Sequence, residues 1–257
     1  MAIPKIIHYC WFGDELIPQE QQKCINTWKI FFSDFEIKEW NEKNSALEEC
    51  EFAKQAYDRK RYAFVSDYVR AKVLYKYGGI YLDTDIYWMK KMPTLLNYDG
   101  FLGFERKAFI GTAVMACTPH NSVIGDLLQY YEKHNFVDKH GNEDNIDNVS
   151  ILTDILKKKG LKTNGQSQII DNMMVYNREV FFPKKLNTHK FEITEKTCAV
   201  HLAKNSWMTE REKKRGNSWF WRQVMRPLLR NIRHAGIRVF GKEKIRKLEI
   251  SIRNKLR

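Results

Sequence analysis

The chain has 257 residues, which is enough for one large α/β domain with an appendage and too few for two typical catalytic domains. Its net charge of +13 is uneven, because residues 210–257 hold sixteen Lys or Arg against four Glu while the rest is close to neutral. Five scattered cysteines without a Cys-x-x-Cys pair indicate neither a disulfide framework nor a zinc site. With no signal-peptide pattern and no transmembrane-length apolar run, we expect a cytoplasmic protein.

The first part of the chain predicts a parallel βαβ unit. Residues 3–12 are β-branched and aromatic and end at a glycine, residues 18–28 have an apolar helical face, and residues 35–40 predict a second strand. A longer helix is predicted over residues 61–77 and ends at Gly78-Gly79.

Within that longer helix, Asp67 and Arg70 share one stripe with small and apolar residues. Such a carboxylate and guanidinium must pair with each other or with another polar group. The pattern leaves two interpretations open, a structural i,i+3 salt bridge and part of a functional site.

The rest of the chain predicts an alternation of strands and helices, followed by a basic tail. The predicted strands are 80–85, 101–105, 110–117, a pair around 175–182 and 197–202; the predicted helices are 122–133 and 149–159, with a polar loop at 138–148. Residues 217–232 have an amphipathic helical pattern interrupted by Pro227, and a second basic helix is predicted over 242–256.

Asp83-Thr84-Asp85 ends a short apolar strand, which is where metal-dependent chemistry is usually placed. Two such carboxylates suit Mg²⁺ or Mn²⁺, which prefer oxygen ligands and can share them with a diphosphate. The triplet favours a nucleotide-sugar transferase, in which the cation stabilises the leaving group. A phosphohydrolase also uses Asp-x-Asp, but this chain has Tyr87 where that class has Thr or Val, and it has no Asp-Asp pair. An isolated Asp pair can also simply cap a strand.

Several motifs together resemble glycosyltransferase family 32, over about residues 1–210. They are Ile3-Pro4-Lys5-Ile6-Ile7-His8-Tyr9-Cys10-Trp11-Phe12-Gly13, Ala63-Phe64-Val65-Ser66-Asp67-Tyr68-Val69-Arg70, Leu74 to Asp85, His201, and Ser206-Trp207. The family includes bacterial capsule and lipopolysaccharide sugar transferases and is similar to the catalytic domains of clostridial glucosylating toxins.

The resemblance implies a GT-A-type nucleotide-sugar transferase fold, that is, a Rossmann-like mixed α/β sheet flanked by helices. Residues 1–210 would be the catalytic domain and residues 211–257 a basic amphipathic helical tail. It further implies Mn²⁺ or Mg²⁺ as cofactor and transfer of a hexose with retention, from a nucleotide-diphosphate sugar (UDP-sugar favoured) to a glycan or lipid-linked saccharide acceptor in surface polysaccharide synthesis.

The resemblance also implies roles for individual residues. Asp67, Arg70, Asp83 and Asp85 would be catalytic; Trp11, Tyr9, Asp67, Arg70, Tyr81, Asp83, Ser206 and Trp207 would bind the nucleotide sugar; Asp83, Asp85 and His201 would hold the metal. Many bacterial members have His-His-Trp where this chain has His201-Leu202-Ala203, so only the first His of that motif is present.

The tail leaves three interpretations open. Its Trp219-Phe220-Trp221 cluster, apolar stripe and Arg residues are typical of an interfacial helix on anionic lipid, which would place the enzyme at the inner face of the cytoplasmic membrane. The same stripe could instead pack on protein, or the charge could bind nucleic acid, although no reading motif is present. The competing function is an inactive GT-A-fold protein that associates with membrane or nucleic acid through this tail.

Overall fold

A computed structural model describes residues 2–91, 98–106, 108–139, 141–143, 146–184 and 190–203, with isolated positions between 232 and 248. The strands are β1 (Ile6–Cys10), β2 (Glu36–Trp40), β3 (Gly79–Leu82), β4 (Ile86–Trp88), β5 (Gly100–Arg106), β6 (Phe109–Cys117), β7 (Gln168–Ile170), β8 (Met173–Tyr176) and β9 (Ala199–His201). The helices are α1 (Gln19–Phe31), α2 (Glu51–Asp58), α3 (Tyr62–Tyr77), α4 (Ser122–Lys133), α5 (Asn148–Lys158) and α6 (Arg178–Phe181), with a 3-10 turn at Leu47–Glu49.

The predicted fold class is confirmed as a mixed α/β sheet flanked by helices. Seven strands form the sheet in the order β2-β1-β3-β6-β5-β8-β7, while β4 and β9 form a separate antiparallel pair. The β1–β2, β1–β3 and β5–β8 pairs are parallel and the other pairs in the large sheet are antiparallel. Because β1 and β3 are parallel neighbours, their carboxyl ends lie side by side at one edge of the sheet.

The two faces of β1 and β3 carry different helices. Ile7 and Leu82 pack with Trp28 of α1 in the main apolar cluster, where all three side chains are fully buried. Side chains alternate along a strand, so Tyr81 faces the opposite side, where Arg70 of α3 contacts its ring. The sheet therefore brings α3 directly behind the strand that ends in the acidic triplet.

Gly78 and Gly79 make the connection from α3 to β3 possible. Their φ angles are +63° and +98°, in the region that favours glycine. A Cβ on Gly79 would lie 2.6 Å from the Ile6 carbonyl oxygen of β1, so only glycine lets β3 approach β1 this closely. The predicted glycine stop is confirmed.

Two sequence predictions about elements were wrong, and one helix was missed. The strand predicted over residues 80–85 ends at Leu82, and Asp83–Asp85 form a turn before β4. Helix α2 was not predicted, and the strand pair placed around 175–182 lies earlier, at β7 and β8, with a short helix over Arg178–Phe181.

The chain divides into two units, of which the first comprises Met1–Phe136 and Asn145–Lys204 and contains all the helices and strands named above. The second comprises Val137–Asp144 and Asn205–Arg257, and its described part includes one bridge between Val137 and Glu143. The predicted tail helices lie largely outside the described residues, so the boundary at residue 210 stays a prediction. No described helix is both long enough and apolar enough to cross a membrane.

Candidate active site

The Asp83–Asp85 turn is held from both sides by backbone hydrogen bonds. The Asp83 N–H donates to the Ala113 carbonyl of β6 at 2.9 Å, and the Ile86 N–H donates back to the Asp83 carbonyl at 3.0 Å. Pairing of β4 with β9 places Ile86 opposite His201, and the Leu202 N–H donates to the Asp85 carbonyl at 3.1 Å. A segment over one hundred residues later in the chain is thereby brought to the acidic turn.

Two side chains of α1 form hydrogen bonds with the backbone of β4. The indole N–H of Trp28 donates to the Ile86 carbonyl at 2.8 Å, and the Thr27 hydroxyl accepts from the Trp88 N–H at 3.0 Å. Both α1 residues are buried, so these bonds are shielded from competing water. These bonds fix the position of β4 relative to α1, and therefore the point at which the chain leaves the acidic turn.

Asp83, Asp85 and His201 form a cluster that could hold a metal ion. Their ligand atoms lie within 4.8 Å of one another, and Asp85 Oδ1 is 3.2 Å from His201 Nε2. Atoms bound to one cation at about 2.2 Å are at most about 4.4 Å apart, so a contraction of a few tenths of an ångström would close the set. Two carboxylates and an imidazole suit Mn²⁺ or Mg²⁺, and the sequence analysis named the same three residues.

His201 is electrostatically tied to this acidic turn. Burial disfavours its charged form, but the hydrogen bond and negative charge of Asp85 outweigh burial and raise the His201 pKa. A bound cation would replace the proton as the positive partner of Asp85, because metal-ligating imidazole is neutral.

Arg70 contacts both Asp67 and Asp83 and so connects α3 to the acidic turn. Its side chain is only 6% exposed and its guanidinium lies 3.1 Å from Asp67 Oδ1 and 3.3 Å from Asp83 Oδ1. It also donates to the Thr112 carbonyl at 2.7 Å and lies 4.6 Å from the centre of the Tyr81 ring. Burial opposes its charge, but Asp83, Tyr81 and Asp67 together raise the Arg70 pKa. Arg70 is thus an i,i+3 partner of Asp67 that also contacts the acidic turn, while its role in a functional site stays a prediction.

Asp67 is a buried carboxylate next to Arg70. Burial raises its pKa to about 6, although Arg70 and a hydrogen bond from Asn148 lower it in part. The Asn148 amide, at the start of α5, donates to Asp67 Oδ1 at 3.0 Å. Sequence reasoning did not find Asn148, because a single Asn after a polar loop carries no signal of what it contacts 81 positions earlier.

Tyr81 lies beneath the acidic turn. It is 1% exposed, and its hydroxyl donates to Asp83 Oδ1 at 3.1 Å. In this arrangement Tyr81 orients Asp83, while the predicted contact with diphosphate or sugar stays a prediction.

Trp11 and Tyr9 lie at the carboxyl end of β1, next to β3. Trp11 is partly exposed and its indole N–H donates to the Glu15 carbonyl at 2.6 Å. Tyr9 is buried, and its hydroxyl donates to Glu39 Oε2 at 2.8 Å. The Trp11 ring therefore has a partly exposed surface that a ligand could contact. Tyr9 is instead buried and bonded to Glu39, and its predicted contact with the nucleotide sugar stays a prediction. Ser206 and Trp207 lie outside the described residues.

Comparison with known proteins supports the resemblance seen in the sequence. Residues 18–102 match the model of the family described as "Glycosyltransferase sugar-binding region containing DXD motif". This range includes Asp67, Arg70, Tyr81 and the Asp83–Asp85 turn, so the predicted resemblance to DXD glycosyltransferases is confirmed over this part of the chain, whereas residues 3–13, His201 and Ser206-Trp207 lie outside the match.

Curated relatives are similar over part of the chain. Inositol phosphoceramide mannosyltransferase 3 of Schizosaccharomyces pombe is 35% identical over 123 residues, which are 44% of this chain and 33% of that protein. Inositol phosphoceramide mannosyltransferase 2 of the same yeast is 28% identical over 52% of this chain and 39% of its own length. Human alpha-1,4-N-acetylglucosaminyltransferase is 26% identical over 27% of this chain and 19% of its own length. The chain thus spans about a third of the length of the curated relatives it matches.

Solved structures give more distant similarities. PaToxG glycosyltransferase superposes with a TM-score of 0.47 and 20% identity, covering 62% of this chain and 70% of that structure. A glycosyltransferase involved in glycosylation of the major capsid of PBCV-1 superposes with a TM-score of 0.41 and 11% identity, covering 82% and 97%.

Proposed function

We propose that this chain is a metal-dependent glycosyltransferase that moves a hexose from a nucleotide-diphosphate sugar to a hydroxyl group of a glycan or lipid-linked saccharide. The observation that carries the proposal is the junction of two groups in one small volume. The Asp83, Asp85 and His201 cluster can hold a cation, and Asp83 is shared with the buried Arg70–Asp67 pair.

The cation-binding cluster and the Arg70–Asp67 pair would contact different parts of the donor. When bound at Asp83, Asp85 and His201, Mn²⁺ or Mg²⁺ would act as a Lewis acid for the departing diphosphate. Arg70 would hold Asp83 in place, since it lies 3.3 Å from Asp83 Oδ1, the same oxygen that accepts a hydrogen bond from Tyr81. Preorganised charge of this kind contributes to catalysis because it does not have to rearrange during the reaction.

Asp67 is the proposed acceptor for hydroxyl groups of the sugar. Its Oδ1 receives both Arg70 and Asn148, while its other oxygen has no hydrogen bond within the described part of the chain. That second oxygen would bind the sugar next to the diphosphate. Trp11, which directly follows the neighbouring strand β1, would stack on the nucleotide base.

Retention of the anomeric configuration stays part of the proposal. Both Asp67 and Asp83 are engaged by Arg70, so neither is placed as an uncompensated nucleophile. A front-side displacement, in which the leaving diphosphate takes the proton of the acceptor hydroxyl, requires no nucleophile from the protein.

For the substrates, we propose a UDP-hexose as the first donor to test and a saccharide of surface polysaccharide synthesis as acceptor, with membrane contact through the basic tail. The names of the relatives also point to mannosyl and N-acetylglucosaminyl donors and to an inositol-containing lipid acceptor. A screen must therefore include UDP-glucose, UDP-N-acetylglucosamine and GDP-mannose.

Thermal shift with these donors, with and without Mn²⁺, tests the proposal. We expect one donor to raise the melting temperature only with Mn²⁺, and Asp85→Asn to remove that increase while keeping the melting temperature of the free protein within a few degrees. Asp34→Asn, an exposed carboxylate that pairs with Lys5, is the matched control and should respond as the wild type does. No donor response in the wild type would favour the inactive, tail-dependent alternative.

A further inference from the structure

Asn148 is a buried polar residue that the proposed mechanism uses only through its neighbour. It is the first residue of α5, is 3% exposed, and is also the last residue of the polar loop predicted over residues 138–148. Its side chain reaches Asp67 of α3, so it connects two helices directly behind the proposed sugar site.

The hydrogen bonding of Asn148 is one-sided. Its amide nitrogen donates to Asp67, but its carbonyl oxygen Oδ1 is fully buried without a hydrogen-bond partner among the described residues. The Tyr131 hydroxyl of α4 is likewise buried and unpartnered. A hydrogen bond to a charged acceptor is stabilising and an unsatisfied buried acceptor is destabilising by a similar amount, so the two nearly cancel. Asn148 therefore contributes little net stability.

Asn148 instead helps to fix the orientation of the Asp67 carboxylate. Its N–H and the Arg70 guanidinium both bind Asp67 Oδ1, at 3.0 and 3.1 Å. The hydrogen bond from Asn148 and the ion pair with Arg70 meet on one oxygen, restrict the rotation of the carboxylate and leave the opposite oxygen, Oδ2, without a hydrogen bond among the described residues. Both contacts favour the ionised form of the acid.

We propose that Asn148 is a positioning residue for sugar recognition, which holds the Asp67 carboxylate ionised and turned so that Oδ2 accepts from hydroxyl groups of the donor sugar. This inference rests on the proposed function for its ligand, but the effect of Asn148 on Asp67 can be measured without any ligand.

The charges around Asp67 make the effect measurable near neutral pH. Burial raises the Asp67 pKa to about 6; Arg70 and Asn148 lower it, while Asp83 and Asp147 raise it. The neutral Tyr131 is the titratable group that faces Asp67 from α4. Loss of a donor worth about 1.5 kcal/mol to the ionised acid would move its midpoint upward by about one pH unit.

The test uses Asn148→Leu, which keeps the number and branching of the side-chain heavy atoms and removes both the donor and the unsatisfied oxygen. Thr153→Val is the matched control, because Thr153 is a buried polar residue of the same helix whose hydroxyl accepts from the Ile110 N–H, away from Asp67. The first measurement is the free energy of unfolding against pH for each variant, with and without Asp67→Asn. The second is donor affinity at pH 6.5 and 8 with Mn²⁺.

We expect the Asp67-dependent part of the pH profile to move upward by about one unit in Asn148→Leu and to stay in place in Thr153→Val. Donor affinity should then fall at least about threefold at pH 6.5 through the loss of ionised Asp67 alone, with a smaller loss at pH 8. Thr153→Val should lose stability and keep its donor affinity.

An unmoved Asp67 midpoint in Asn148→Leu would overturn the inference, whatever the protein binds. A moved midpoint with donor affinity unchanged at both pH values would also overturn it, since Asp67 would then be irrelevant to the sugar. If the wild type binds no donor while the midpoint still moves, the proposed function fails and the Asn148–Asp67 coupling holds.

Discussion

Replacing Arg70 with Met removes the positive charge that two carboxylates share. The Arg70 side chain is 6% exposed and the Asp67 side chain 14%, so water cannot substitute for the guanidinium. Breaking one partner out of a buried ion pair costs about 3–5 kcal/mol, and the 28% exposure of Asp83 places the expected loss near the lower value, about 3 kcal/mol at pH 8.

This loss should depend on pH with a definite sign. Burial raises the Asp67 pKa to about 6 and Arg70 is the main influence that lowers it, so the pKa rises further in Arg70→Met. The native variant then holds a proton that the unfolded chain releases, and its stability falls as pH rises through that range. Each tenfold change in proton affinity contributes about 1.4 kcal/mol, so the loss should be at least that much smaller at pH 5 than at pH 8.

Urea unfolding followed by circular dichroism at pH 5, 6, 7 and 8 measures this directly. Lys5→Met is the control, because Lys5 pairs with Asp34 at the start of β1 with both side chains more than half exposed, and its loss should be small and nearly independent of pH between 5 and 8. Adding Asp67→Asn to Arg70→Met should recover part of the stability at pH 8. Equal losses at pH 5 and 8, or no recovery in the double variant, would refute the assignment of Arg70 as the compensating charge.

Three further predictions concern the frame around the site. Burial lowers the His8 pKa to about 4, and Trp40 donates a hydrogen bond to His8 Nδ1. Because the unfolded chain binds a proton at His8 more readily than the folded chain, acid favours unfolding. In urea titrations, the stability of the wild type relative to His8→Gln should therefore fall by about 3 kcal/mol between pH 7 and 4. Trp28→Phe leaves the carbonyl of β4 unpaired and should weaken Mn²⁺ binding by calorimetry, besides costing about 1–3 kcal/mol; unchanged Mn²⁺ affinity would contradict the anchoring role. Gly79→Ala should lower the free energy of unfolding by about 3 kcal/mol. The control Gly160→Ala, which has φ of +100° but open space around it, should lower that free energy clearly less. Equal losses would mean that strain in φ, and not the contact with β1, determines the cost.

Strong local patterns predicted most of the frame. Helix α4 was predicted with the bounds that it has, Ser122–Lys133, because its apolar face is regular and Asn121 caps it by accepting from two backbone N–H groups. Helix α3 ends where Gly78 requires it to end. In both cases the signal lies within a few residues of the boundary it sets.

Elements that depend on distant partners were not predictable in the same way. Strand β4 has three residues and exists through its pairing with β9 and its anchor on Trp28. Neither partner is visible from the sequence around Ile86. The strand predicted through Asp85 was therefore too long, because an extended pattern does not show where the ladder with β6 ends.

The candidate site shows the same division. The Asp83–Asp85 pair and the Asp67–Arg70 stripe are local motifs, and the sequence identified them. The link between them is tertiary: Arg70 reaches Asp83 across 13 positions, and Asn148 reaches Asp67 across 81. Such contacts follow from sheet order and helix packing, which spacing alone does not encode.

The central claim is that the Asp83, Asp85 and His201 cluster supports metal-dependent transfer from a nucleotide sugar. Release of nucleoside diphosphate from UDP-glucose, UDP-N-acetylglucosamine and GDP-mannose tests it most directly, measured with Mn²⁺ and with excess EDTA. We predict release from one of these donors with Mn²⁺, loss with EDTA, a loss of at least about a hundredfold in Asp85→Asn, and unchanged release in Asp34→Asn. Wild-type rates in Asp85→Asn, or release that persists in EDTA, would contradict the metal site.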